Sequence, residues 1–139
     1  MIIRSTSELH PAIRSSANAL YKRLIAAHEA SRLKVRFEIY ETLRIPSRQE
    51  QLRLEGVSKA GAFESAHQFG LAIDFVPFLS QAQAVALGVR PGWYWPEITD
   101  EAWKVLKQEA KLCGLSVPIS WDAAHVEYRG WKQLITRNI

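Results

Sequence analysis

Residues able to bind a metal ion or move protons fall in two short stretches of the sequence. The first stretch carries His67 and Asp74, and the second carries Asp122, His125 and Glu127. A catalytic zinc ion takes three protein ligands and leaves its fourth position open. Imidazole and carboxylate suit such an ion, whereas magnesium and calcium prefer oxygen alone. Taken singly, however, a histidine or aspartate of this kind is more often a structural hydrogen-bonding residue than a ligand.

Asp74 interrupts an apolar segment that has the pattern of a buried strand. Alternation along a strand places it on one face with the small or apolar residues at positions 72 and 76. A buried carboxylate without a partner is costly, so a cation, hydrogen bonds or a shifted pKa must compensate. Gly70 can adopt backbone angles closed to other residues. A turn at Gly70 would therefore bring His67 towards Asp74.

The second stretch offers three further functional groups close together. His125 and Glu127 would project from the same face of a short strand, and Asp122 precedes His125 by three residues. One group could bind a metal, one carboxylate could act on water, and the other could orient a ligand.

Together the two stretches resemble the paired signature of a zinc peptidase family. This is the VanY-like group of D-alanyl-D-alanine carboxypeptidases and L-alanyl-D-glutamate endopeptidases, which includes many phage endolysins. The positions that carry the resemblance are Ser65, His67, Gly70, Ala72, Asp74, Asp122, His125 and Glu127.

The resemblance implies a zinc ion bound by His67, Asp74 and His125. It also implies that Asp122 takes a proton from the attacking water and then delivers it to the leaving amine. Glu127 would support a ligand histidine or a neighbouring loop.

A further segment of the sequence is similar to the same family. Arg44 stands at a predicted strand end and is followed by the pair Arg48 and Gln49. By this likeness Arg44 contacts the polarised carbonyl oxygen of the substrate, with an ordinary surface salt bridge as the alternative. Gln49 and Ser65 would bind substrate or support the site.

Two classes of function compete for such a chain. The first is a zinc peptidase that cuts the stem peptide of peptidoglycan, either as an L-alanyl-D-glutamate endopeptidase (an endolysin of a phage or prophage) or as a D-alanyl-D-alanine carboxypeptidase. The second is a zinc-binding module without activity, because the related hedgehog domain binds zinc and serves as a binding protein. The presence of both Asp122 and Arg44 favours the enzyme.

Length and composition indicate one ordinary soluble domain. The chain has 139 residues, of which 47% are apolar and 23% charged. We therefore predict a single zinc peptidase domain over residues 1–139. Helices and well-separated strands without βαβ alternation indicate an α+β domain with a small antiparallel sheet flanked by helices. The fold implied by the resemblance, hedgehog/D-Ala-D-Ala peptidase-like, is of this class.

Charge and terminal sequence limit the partners and the location. The net charge is +4, but no nucleic-acid-binding motif is present, so we expect no nucleic acid partner. Neither a signal segment nor an apolar run of about 20 residues occurs, which predicts synthesis in the cytoplasm, no stable membrane insertion, and action at the cell wall or periplasm after release. We expect a monomer, and the single Cys113 is expected to be a packed thiol.

Local patterns predict the elements that hold these residues. Helices are expected over 11–30, 48–54, 80–87 and from 131 onward, and another is expected to follow Thr99 as its N-cap. Ser47 would cap the second of these helices. A strand over 35–43 would place Phe37, Ile39 and Glu41 on one face, and a second over 115–119 would be an edge strand. The aromatic loop 90–96 is expected either to cover the core or to line a substrate groove.

Overall fold

A computed structural model of the chain describes residues 1–57 and 65–137. Within these ranges the helices are α1 (Pro11–Glu29), α2 (Pro46–Leu54), α3 (Gln81–Leu87), α4 (Glu101–Leu112) and α5 (Trp131–Arg137). The strands are β1 (Phe37–Glu41), β2 (Ala72–Leu79), β3 (Gly92–Trp93), β4 (Leu115–Ser116) and β5 (His125–Tyr128). Two short 3₁₀ turns lie at Thr6–Glu8 and Ala66–Phe69.

The strands form one small antiparallel sheet. Its order is β1-β2-β5-β4, and β3 pairs with the far end of β2. The central strand β2 is buried along almost its whole length because neighbours flank it on both sides. This arrangement confirms the α+β class with a small antiparallel sheet.

The first strand contains a β-bulge that changes which side chains share a face. Ile39 pairs with Phe75, yet the next paired residue, Glu41, lies opposite Asp74, so Tyr40 is the extra residue. Directly paired residues of neighbouring strands project to the same face. The expectation that Glu41 shares a face with Phe37 and Ile39 is therefore wrong. The bulge instead turns Glu41 to the face that carries Asp74.

Helices α1 and α4 cover the sheet and supply much of the core. The buried residues of α1 recur every three or four positions, as an amphipathic helix requires: they are Ile13, Ala17, Leu20, Leu24 and Ala27. In α4, Trp103 contacts the ring of Phe37 in β1 at a centroid distance of 5.8 Å. Cys113, which caps α4, is half-buried against this core, as expected.

A buried carboxylate near the end of α4 pairs with two partly exposed arginines, one in α1 and one just after it. The carboxylate of Glu109 is 2% exposed and accepts hydrogen bonds from Arg23 Nε at 2.6 Å and Arg32 Nη2 at 2.9 Å. Burial alone would raise the pKa of Glu109, but the two guanidinium groups lower it. These two salt bridges therefore hold α4 against α1 and against the segment that follows α1.

Several element ends differ from the predicted ones. α2 begins at Pro46 with Ile45 as its N-cap, so Ser47 lies inside the helix and is not its cap. α4 is capped by Asp100, which accepts a hydrogen bond from the backbone of Ala102, and not by Thr99. Proline at the first helical position and aspartate at the N-cap are both strongly favoured, which explains each shift. β4 spans two residues instead of five.

The aromatic loop packs in part against the core, as one of its two predicted roles requires, and its role in lining a substrate groove stays a prediction. Trp93 belongs to β3 and packs edge-on against Phe78 of β2, whereas Trp95 is about half exposed.

Among the described residues, no helix combines the length and apolar character needed to cross a bilayer.

Candidate metal centre and active site

A short turn positions His67 in front of the central strand. Ser65 accepts a hydrogen bond from the backbone N–H of His67 at 3.3 Å, and Gly70 ends the turn with φ of +67°. The Nδ1 of His67 lies 2.9 Å from the carbonyl oxygen of Thr42. Because a carbonyl can only accept, Nδ1 carries the proton and the lone pair of neutral His67 is on Nε2. The backbone N–H of Arg44 donates to the carbonyl of His67, which fixes the turn further.

His125 is oriented by a different partner. Its Nε2 lies 2.8 Å from Glu127 Oε1, two residues along β5. This contact assigns the proton to Nε2 and directs Nδ1 of His125 towards His67 and Asp74. A histidine that binds a metal usually donates its other ring N–H to a carboxylate or a backbone carbonyl. Both arrangements are present here, one on each histidine.

Three potential ligand atoms converge between the turn and the sheet. His67 Nε2 lies 3.0 Å from Asp74 Oδ1, His125 Nδ1 lies 3.2 Å from His67 Nε2, and His125 Nδ1 lies 3.6 Å from Asp74 Oδ1. Ligands at tetrahedral angles about 2.0–2.1 Å from a zinc ion are roughly 3.3 Å apart. The three residues are buried and together could hold a metal ion. Their spacing and ligand types fit zinc.

The electrostatics of the cluster favour an added positive charge. Burial would raise the pKa of Asp74, but its interactions with His67 and His125 hold that pKa far below the usual range. Burial would likewise lower the pKa of His125, yet hydrogen bonds to Asp74 and Glu127 raise it to about 9. Without a metal, a proton on His125 compensates the carboxylate. A metal ion would replace that proton, because an imidazole must be neutral to coordinate.

Arg44 lies behind Asp74 in a network of buried polar side chains. Its Nη2 donates to Asp74 Oδ2 at 3.3 Å and to Glu41 Oε1 at 2.7 Å, and its Nη1 donates to Gln49 Oε1 at 2.8 Å. Arg44 is 8% exposed and Gln49 is fully buried. The guanidinium therefore supports the oxygen of Asp74 that does not face the histidines.

Asp122 lies in the turn before β5 and lines an adjoining cavity. The cavity has a volume of about 250 Å³. Its walls include Trp95, Trp103 and Trp121 together with the carboxylates of Glu97 and Asp122. Burial and the negative charge of Asp74 raise the pKa of Asp122 above its ordinary value. A carboxyl with a raised pKa beside a pocket is suited to exchanging protons with a bound molecule.

Comparison with solved structures gives a fold-level match. The Serratia marcescens L-Ala D-Glu endopeptidase ChiX aligns over 92% of this chain and 88% of its own, with 18% sequence identity and a TM-score of 0.57. The LD-carboxypeptidase LdcB aligns over 88% of this chain, with 21% identity and a TM-score of 0.51. The chain shares their fold.

The two neighbours are peptidases, and the second was described in terms of peptidoglycan recognition. The fold expected from the resemblance to the VanY-like group is thus confirmed. The chain spans 62% of the length of LdcB. No family model matches the sequence, and no curated protein does so either.

The structure brings the predicted site residues together to different degrees. His67, Asp74 and His125 converge, Glu127 is hydrogen-bonded to the ring of His125, and Ser65 accepts a hydrogen bond from the backbone N–H of His67. The sequence alternative in which Arg44 makes an ordinary surface salt bridge is wrong, because its guanidinium is buried. Contacts of Arg44, Gln49 or Ser65 with a substrate remain predictions. Asp122 is not one of the three converging ligands and lines the cavity beside them.

Two residues of this site were not singled out from the sequence. Thr42 contributes the backbone carbonyl that fixes the tautomer of His67, and Glu41 binds the guanidinium of Arg44. Any residue type offers a backbone carbonyl, so Thr42 leaves no signal in the sequence. Glu41 did leave one, since a carboxylate at the end of an otherwise apolar strand face is unusual.

Proposed function

We propose that this chain is a zinc-dependent peptidase that hydrolyses the stem peptide of peptidoglycan, cutting the L-alanyl-D-glutamate bond. The observation that carries the proposal is the convergence of His67, Asp74 and His125 beside Asp122, which has a raised pKa. The fold shared with two peptidases supports the reaction class. We also propose that the chain acts as an endolysin of a phage or prophage, the role expected from the sequence.

His67, Asp74 and His125 would hold the zinc ion. Bound zinc supplies Lewis acidity near neutral pH, which makes water a better nucleophile and a peptide carbonyl a better electrophile. Asp122 then accepts the proton of the attacking water and passes it to the nitrogen of the leaving amine. The raised pKa of Asp122 favours both halves of this transfer, because a carboxyl that ionises nearer to neutral pH both accepts and releases a proton readily.

The aromatic cavity is the proposed place for the peptide on the leaving-group side. Asp122 forms part of its wall, so a leaving amine bound in this cavity would lie near the carboxyl that gives it a proton. Trp95 and Trp121 are 53% and 68% exposed and offer apolar area that a ligand would cover.

The test separates the proton-transfer role from metal binding. Asp122→Asn preserves shape and should leave zinc content near wild type, while turnover of purified peptidoglycan falls by about 10²–10⁴-fold. Asp74→Asn should instead lower zinc content itself. Elemental analysis and hydrolysis of purified cell wall measure both variants. Undiminished activity of Asp122→Asn would remove Asp122 from the mechanism, and zinc retained at wild-type affinity by Asp74→Asn would remove Asp74 from the ligands.

A carboxypeptidase is the second candidate, supported by the structural likeness to LdcB. Mass spectrometry of digested peptidoglycan distinguishes the two reactions. The endopeptidase releases peptides with a new D-glutamate amino terminus, whereas a carboxypeptidase releases free D-alanine. Stoichiometric zinc without either product would support a non-catalytic zinc-binding module.

A further inference from the structure

Glu41 occupies the sheet position directly beside the candidate metal ligands. In the strand register Glu41 lies opposite Asp74, and Asp74 lies opposite His125. The three side chains therefore follow one line across β1, β2 and β5 on one face of the sheet. Only the bulge at Tyr40 brings Glu41 to this line. Glu41 is 1% exposed, which is rare for a glutamate without a specific partner.

Glu41 reaches Asp74 through a single guanidinium group. Its Oε1 accepts hydrogen bonds from Arg44 Nε at 3.1 Å and Arg44 Nη2 at 2.7 Å. The same Nη2 donates to Asp74 Oδ2 at 3.3 Å. On its other oxygen, Glu41 accepts a hydrogen bond from Arg48 Nε at 3.1 Å. Glu41 thus holds Arg44 in the geometry in which Arg44 contacts Asp74.

A guanidinium at this place has two opposing effects on a metal ion. It orients the carboxylate of Asp74, but its positive charge repels a divalent cation and withdraws electron density from that carboxylate. Screening by water is weak, because Arg44 is 8% exposed. A second carboxylate on the far side of Arg44 would retain the orientation and offset the repulsion.

We propose that Glu41 is a positioning residue that cancels the charge of Arg44 and holds its guanidinium against Asp74, thereby strengthening zinc binding. This inference rests on the zinc site of the proposed function. A purely structural Glu41 would affect the stability of the fold but not the affinity of the folded protein for zinc. A positioning role and a purely structural role of Glu41 therefore predict different zinc affinities for a variant that lacks its charge.

The primary test compares zinc affinities of the full chain by competition with a chelator. Glu41→Gln keeps the shape of the side chain and removes its charge, so the dissociation constant for zinc should rise by about 10–100-fold. Glu50→Gln is the matched control, since it removes a charge from α2 that pairs with Arg53, and it should leave the constant unchanged. The visible spectrum of the cobalt-substituted protein should change for Glu41→Gln and not for the control.

A double variant tests whether Glu41 acts through Arg44. Glu41→Gln should raise the dissociation constant for zinc less in an Arg44→Gln chain than in the wild-type chain, because the guanidinium that Glu41 holds is then absent. An equal rise in both backgrounds would overturn the inference. So would a dissociation constant for Glu41→Gln that equals the wild-type value.

Arg48→Gln keeps the test decisive if Glu41→Gln does not fold. Arg48 is at the edge of the network, and its removal leaves the charge of Glu41 to act on Arg44 alone. Zinc affinity should then rise, and an unchanged or weaker affinity would contradict the charge argument. A wild-type chain that fails to bind zinc would overturn the proposed function and this inference together. Wild-type zinc binding with an unaffected Glu41→Gln would overturn the inference alone.

Discussion

Gly70 and Gly88 provide a matched pair for testing how the turn holds His67 in place. Both glycines cap a helical segment in the left-handed region, with φ of +67° and +69°. A Cβ atom at Gly70 would lie 2.7 Å from the backbone nitrogen of His10, whereas a Cβ at Gly88 would have nothing within 4 Å. The two positions therefore share backbone strain and differ in the space available.

The expected losses of stability follow from the backbone strain at each position and from the space available for a Cβ atom. A left-handed conformation costs an alanine roughly 1–2 kcal/mol, and this applies to both sites. Overpacking adds about 1–3 kcal/mol at Gly70 only, since the contact is with backbone that cannot rotate away. Gly88→Ala should lower the free energy of unfolding by about 1–2 kcal/mol, and Gly70→Ala by about 2–5 kcal/mol. Relief of the clash would also move the turn that carries His67.

Urea denaturation of the metal-free proteins measures the stability difference, and chelator competition measures zinc affinity. Gly70→Ala should be the less stable variant and should bind zinc more weakly than wild type. Gly88→Ala should retain wild-type zinc affinity. Equal destabilisation by the two substitutions, to within about 0.5 kcal/mol, would refute the argument that close packing against the His10 backbone restricts position 70. Unchanged zinc affinity in Gly70→Ala would show that the turn does not position His67.

Two further predictions concern pH and the helix pair. The pKa of His125 is raised to about 9, so zinc must displace a proton from this histidine below that pH. The apparent zinc affinity should therefore fall about tenfold per pH unit from pH 8.5 to 6.5. A constant affinity over that range would contradict the prediction. Glu109→Gln should reduce the free energy of unfolding by about 1–3 kcal/mol at pH 7, because Arg23 and Arg32 lose a charged partner. The pKa of Glu109 is lowered in the folded state, so its contribution is present above the unfolded pKa of about 4.3 and disappears as pH falls through the folded value. The variant and wild type should therefore converge in stability in acid, as urea titrations at pH 7 and pH 3 can show.

Local sequence determined the parts of the site whose geometry depends on a few neighbouring residues. Asp74 follows His67 by seven positions, and a left-handed Gly70 between them lets the chain return the histidine to the strand. Likewise, strand alternation alone places His125 and Glu127 on one side of β5. Helix α1 was also predictable, because the spacing of its apolar residues depends only on the helical repeat.

The tertiary structure decided the contacts that depend on how separate segments align. A single extra residue in β1 moved Glu41 from the face of Ile39 to the face of Asp74, and strand periodicity cannot reveal a bulge. The partner of His67 is a backbone carbonyl, which any residue at position 42 would supply. The burial of Arg44 depends on the placement of α2 and β2 around it. Such contacts arise from packing between distant segments, so residue type and spacing along the chain do not specify them.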